Sequence, residues 1–311
     1  MIATFESLLP IFLLIIAGNL LRRSPLIDQE AWTGLEQIGF WFLYPALLFA
    51  SILKADFSRL ALGPLIFSLV AALTIAMVAV LALWPVFRSS GLIDRGEFST
   101  VYQTALRWNG FMALAIAQKL FPPEGVAVVA LSMAAIVIPI NLVSVLVVTR
   151  FGDSSADWGT IGRRMATNPL VLSATAGLLA RFIPGGLYGP LDVTLDLVAR
   201  AALGMGLIAI GAGLRPSDMF SARPALWIPV AIKLVAYPAL LVGTGVLIGV
   251  EGQSLMWLAL CGSVPTAMNG YLLAKQLGGD APLYAATVTM QTAVSFFSIP
   301  AVLAVAGSLA G

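Results

Sequence analysis

Two Asn-Gly pairs, Asn109-Gly110 and Asn269-Gly270, each stand in the middle of a long apolar stretch, and Pro265 lies just ahead of the second. Glycine weakens a helix by roughly 1 kcal/mol relative to alanine, and asparagine competes for backbone hydrogen bonds. Pro265 lacks an N–H and crowds the preceding turn. Both stretches therefore read as helices interrupted at mid-span. Each interruption opens a new helix N-terminus with free N–H groups and a partial positive charge, which suits an anion. Arg107, two residues before Asn109, would add a guanidinium able to grip a carboxylate through two bonds. A blander reading starts this helix later and sends Arg107 to the headgroups. Likewise, the Asn-Gly pairs could be kinks that only let helices pack. Gln291 is a further candidate ligand, within a polar run that includes Thr287, Thr289, Thr292, Ser295 and Ser298. Packing between helices would use the same residue types.

The missing residues narrow the chemistry. There is no histidine and a single cysteine, Cys261, so Ser/His/Asp triads, the usual zinc sites and an intramolecular disulfide are excluded. Glu6, Glu36, Glu124, Glu251 and Asp280 all fall near the ends of apolar stretches. A membrane enzyme acting on lipid would need a nucleophile with a base, and none is in view. No cofactor is expected. A proton relay of carboxylates has few members, while sodium could be held by carbonyls at the interruptions, so the coupling ion, proton or sodium, stays open. Lys233 is expected to snorkel to the surface. Asp192, Asp196 and Arg200, at four-residue spacing, are expected to pair along one helical face. A net charge of +2 gives no reason to invoke nucleic acid.

The elements that must position these groups are membrane spans. Of 311 residues 59% are hydrophobic and 10% charged. A crossing takes about 20 apolar residues. Breaking the chain at its charges and Pro/Gly clusters gives ten segments, near 3–21, 33–53, 63–87, 98–120, 125–149, 167–183, 191–213, 225–249, 254–276 and 282–306. The first has no basic flank and no small-residue cleavage site, and reads as a retained span. Long runs without period-two alternation argue for helices over a barrel, so the fold class is an all-α membrane protein. The chain also repeats itself at an offset of about 160 residues: Pro10, Ala17, Gly18 and Arg22 fall on Pro169, Ala176, Gly177 and Arg181, Pro64 on Pro224, Asn109-Gly110-Phe111 on Asn269-Gly270-Tyr271, and Ile138-Pro139 on Ile299-Pro300. Five helices per copy force the copies into opposite orientations. Residues 1–152 form the first inverted repeat, 153–166 a cytoplasmic linker and 167–311 the second. Basic loop residues number about ten on one side and four on the other, so the positive-inside rule places both termini outside.

Several strings resemble the auxin efflux carrier family: LLPIFLLIIAGNLLRR, FLYPALLFASILK, NPLVLSATAGLL, IKLVAYPALL and, most specifically, VPTAMNGYLLAKQLGG. The resemblance spans nearly the whole chain and implies a plan shared with the bile-acid/sodium symporters. Scaffold helices would lie at 1–60 and 167–222 and transport helices at 61–152 and 223–311, with interrupted fourth and ninth helices crossing at a carboxylate site and elevator-like alternating access. Carried onto this sequence, Asn109 and Asn269 are the crossover asparagines and Pro265 the helix-breaking proline. RWNGF lacks the proline many members hold beside the first asparagine, which leaves the depth of that break open. The short centre, Arg150 to Ala166, matches the compact bacterial form, whose members sit in the inner membrane with periplasmic termini and carry dicarboxylates such as malonate. A sodium-coupled symporter, a non-transporting receptor of the same fold and a homodimer through the scaffold helices stay open at this point.

Overall fold

The computed structural model describes residues 2–25, 27–54, 62–151, 167, 169–184, 186–219, 223–268, 270–276 and 278–310. Asn269, Arg59 and the linker 153–166 lie outside the described residues. Among the described residues there is helix and no strand. In chain order the helices are α1 Ile2–Arg23, α2 Gln29–Lys54, α3 Leu62–Ser90, α4 Arg95–Leu106, α5 Gly110–Leu120, α6 Pro123–Phe151, α7 Pro169–Ala180, α8 Gly189–Gly213, α9 Pro224–Leu247, α10 Gln253–Ser263, α11 Gly270–Gln276 and α12 Ala281–Leu309. Six of these, α2, α3, α6, α8, α9 and α12, are long and apolar enough to cross a membrane. Side chains such as Phe67, Val78, Leu179 and Leu197 are more than 60% exposed, the outward apolar surface a bilayer would cover.

The helices sort into two packed groups. α1 lies on α8 and α7 on α2, and α2 also packs on α8. Small residues let the backbones touch: a Cβ on Gly211 would fall 1.8 Å from the Ile15 carbonyl oxygen, and one on Gly18 2.1 Å from that of Ile208. Asn19 seals this seam, its amide donating to the Gly211 and Leu214 carbonyls at 3.1 and 2.9 Å, groups left open where α8 ends. The second group is built around α4, α9, α10 and α12, with α3, α5 and α6 against them.

The sequence reading of Asp192, Asp196 and Arg200 as a pairing within one helix is overturned. Lys54, in the last turn of α2, takes both acids, at 3.2 and 2.5 Å, and so ties α2 to α8. A lysine reaching across from the end of the neighbouring helix meets both carboxylates at once, which Arg200 does not. The groups are partly exposed, so this contact contributes to register more than to stability.

Two helices contain a single wide, π-helical turn, Gly39–Leu43 in α2 and Ile232–Ala236 in α9. Each is followed by the same five residues, Tyr-Pro-Ala-Leu-Leu, at 44–48 and 237–241. Proline lacks an N–H and its ring clashes with the carbonyl four residues back. The widened turn relieves that clash, and the tyrosine N–H bonds five residues back, Tyr44 to Gly39 and Tyr237 to Ile232.

Candidate functional site

The first interruption begins with a well-started helix. Asp94 caps α4 by accepting the Glu97 N–H at 2.7 Å, and the Glu97 carboxylate accepts the Asp94 N–H at 3.1 Å. The helix stops at Leu106 because Arg107 turns extended, with ψ at 153°, and residues 107–109 are non-helical. α5 then starts afresh at Gly110. Asn109 caps it, its side-chain oxygen accepting the Met112 N–H at 3.1 Å. Gly110 and Phe111, as the first two residues of α5, have N–H groups with no acceptor inside the helix. Gly110 sits where a Cβ would come 2.6 Å from the Met133 sulfur, so the pair's glycine also serves close packing.

The second interruption is longer. α10 ends at Ser263, Val264 turns extended with ψ at 148°, and helix resumes only at Gly270. Pro265 lies just past this stop, as the sequence suggested. A Cβ on Gly270 would fall 2.2 Å from the Tyr284 hydroxyl, which donates to the Ala267 carbonyl at 2.7 Å. Tyr284 therefore closes one side of this break.

The two interruptions meet. The Asn109 N–H donates to the Pro265 carbonyl at 2.7 Å. The Thr266 hydroxyl donates to the Thr104 and Arg107 carbonyls at 2.8 and 3.0 Å, two of the groups left open where α4 ends. Gln291, fully buried on α12, binds them all: its oxygen accepts the Thr266 N–H at 2.9 Å, and its nitrogen donates to the Thr104 and Pro229 carbonyls at 2.8 and 3.2 Å. One side chain thus joins α4, α9 and the strand-like stretch after α10. Arg107 is 6% exposed, at the carbonyl end of α4 where a cation is favoured, and lies beside the Tyr284 hydroxyl. Of the sequence candidates, Arg107, Asn109, Gly110, Pro265, Gly270 and Gln291 are brought to this crossing, and Asn269 lies outside the described residues.

Sequence reasoning did not select Thr266, Tyr284 or Tyr44. Tyr44 stacks on Phe111, the residue after Gly110, at 3.6 Å between ring centres. On the other break, Arg215 donates to the Tyr271 hydroxyl at 3.3 Å, its guanidinium 5.3 Å from the ring centre. A cleft of about 610 Å³ opens there, lined by Arg23, Leu214, Arg215, Pro216 and Ser217. The expectation for Lys233 fails outright. It is 0% exposed, inside the wide turn of α9, with its ammonium 4.4 Å from the centre of the Tyr237 ring. The widened turn aims the side chain inward, where it has no route along the helix to the headgroups.

Apolar helices with two interrupted partners meeting at a polar centre are an arrangement that multi-pass membrane transporters use. Residues 159–303 match the family model of the membrane transport proteins. The chain is 31% identical over 148 residues to the "Putative malonate transporter" of Rhizobium meliloti (strain 1021), an alignment covering 46% of this chain and 45% of that one. It is 23% identical over 307 residues to an "Uncharacterized transporter" of Methanothermobacter thermautotrophicus (strain Delta H), covering 95% and 96%. The alignment with the Rhizobium protein thus spans less than half the length of that relative. Over its second half the chain is thus similar to the membrane transport protein family, in keeping with its resemblance to the auxin efflux carriers.

Proposed function

We propose that this protein is a secondary active transporter of small organic anions that receives a carboxylate where its two interrupted helices cross. The observation that carries the reading is the direct bond between the breaks, from the Asn109 N–H to the Pro265 carbonyl at 2.7 Å. It brings the start of α5, with its free helix-terminal N–H groups, to the second break. In this reading the N–H groups of Gly110 and Phe111 and the amides of Asn109 and Asn269 bind the anion, and the Gly270 N–H is held by the Tyr284 hydroxyl. Arg107 supplies positive charge, and Pro265 and Gln291 hold the breaks in place.

The same reading takes the chain as two inverted five-helix repeats in an inner membrane, both termini on the outer side. The helices around the crossing move as an elevator against the group containing α1, α2, α7 and α8. The malonate named for the Rhizobium relative makes dicarboxylates the first substrates to try. On purified protein, malonate is expected to raise the unfolding temperature, because a ligand that binds only the native state stabilises it. Asn109→Ala should abolish that rise while leaving a monodisperse, helical protein. Labelled malonate should also accumulate inside proteoliposomes. Binding without accumulation would make the protein a receptor, and unchanged binding by Asn109→Ala would remove the crossing as the site.

A further inference from the structure

Lys233 is the one lysine of the described chain that is completely buried, and its Nζ has no hydrogen-bond partner. The ion pairs among the described residues involve Lys54 and Arg223 instead. An ammonium in this setting is expensive, and intramembrane charges persist where they do work. Its surroundings are built for a cation all the same. The Tyr237 ring face lies 4.4 Å away, one turn along the same helix. Cys261, in the last turn of α10, lies beside the ammonium, so the charge sits at the carbonyl end of the half-helix that leads into the second break. That end carries partial negative charge.

At the 160-residue offset that superposes Pro64 on Pro224, the first half of the chain has Leu73, 2% exposed, in the unbroken winding of α3. The other elements packed on the wide turn are α4, α10 and α12. The titratable group of α10 is Cys261, that of α12 is Tyr284, and α4 contributes Arg95, Glu97 and Tyr102, with Arg107 just beyond. The one carboxylate among them, Glu97, stands in the first turn of α4, 3.9 Å from Arg223. A buried lysine amine can release a proton.

We propose that Lys233 is the cation site of the transport cycle: its amine carries, as an exchangeable proton, the positive charge that accompanies the carboxylate, in place of a free metal cation. This rests on the carboxylate-transport reading above. The proton is taken up with the anion on one side of the membrane and given up with it on the other, so entry of malonate acidifies the vesicle lumen. Sodium has no part in the cycle.

The test uses full-length protein in proteoliposomes, with labelled malonate outside and a pH-sensitive dye inside, in sodium and in choline buffers. Wild type should take up malonate equally in both, with luminal acidification and a rate that falls as external pH rises. Lys233→Met removes the charge and Lys233→Arg fixes it. Both should keep the malonate-induced thermal shift, and both should lose the luminal acidification and the pH dependence. Should Lys233→Met fold poorly, Lys233→Arg still decides the matter. A variant that transports malonate with the wild-type pH profile and acidification overturns the proposal, as does a requirement for sodium. Failure of the underlying reading is recognised separately, as wild type that neither binds nor accumulates malonate, and it takes this inference with it.

Discussion

The two breaks are spelled alike, Asn-Gly-Phe and Asn-Gly-Tyr, yet they are built differently. The first is three residues long and closed on itself: Asn109 caps α5, and Phe111 is covered by Tyr44. The second is longer, is held from outside by Gln291 and Tyr284, and places Tyr271 beside Arg215, which also lines a cleft. Equivalent sequence therefore does not impose equivalent mechanics. The first break is a tight corner, and the second is a loosely wound stretch held by its neighbours.

The sharpest way to break this contrast is Gln291→Leu. It strands the Thr266 N–H in a buried centre and takes one of two donors from the Thr104 and Pro229 carbonyls, a loss of about 2–4 kcal/mol. Thermal unfolding should show the fall, and malonate uptake should disappear with it. Next comes the pair of glycine substitutions. Gly270→Ala drives a methyl into the Tyr284 hydroxyl, a group already fixed by its bond to Ala267, and should cost about 1–3 kcal/mol. Gly110→Ala meets the Met133 side chain, which can rotate away, so its cost should be visibly smaller. Equal losses would mean that the second break is no more constrained than the first. Tyr44→Ala removes the stack on Phe111, about 1 kcal/mol, and should raise the proteolytic sensitivity of the first break without removing malonate binding. The smallest effect is expected from Arg215→Gln. It should slow uptake several-fold at low salt and little at high salt, as for a charge that guides an anion to an open mouth.

Much of this arrangement was legible in the sequence because its signals are local. Asn109-Gly110 marks its helix start by its own backbone preferences, a second helix starts at Gly270, and Pro265 marks the second stop. The all-helical character followed from the length and density of the apolar stretches. What escaped depends on contacts between residues far apart in the chain. Thr266 meets Thr104, Tyr284 meets Ala267, and Gln291 reaches Pro229, none of which leaves a trace in periodicity. Lys233 was misread because a regular helix was assumed, whereas the widened turn before Pro238 redirects the side chain inward. Asp192 and Asp196 were assigned to the wrong partner for a similar reason, since Lys54 lies on another helix. The signal that could have found Tyr44 and Tyr237 was present: the repeated Tyr-Pro-Ala-Leu-Leu at 44–48 and 237–241.

Those repeated pentads have a bearing on how far α2 and α9 can be edited. A widened turn houses one surplus amino acid, so deleting a single position between 39 and 43, or between 232 and 236, would return the rod to ordinary winding and rotate everything on one side by about 100°. In α9 that rotation would carry the amine of residue 233 off the aromatic face beneath it and out toward the acyl chains. A one-codon loss there is a larger perturbation than most point replacements in the same helix.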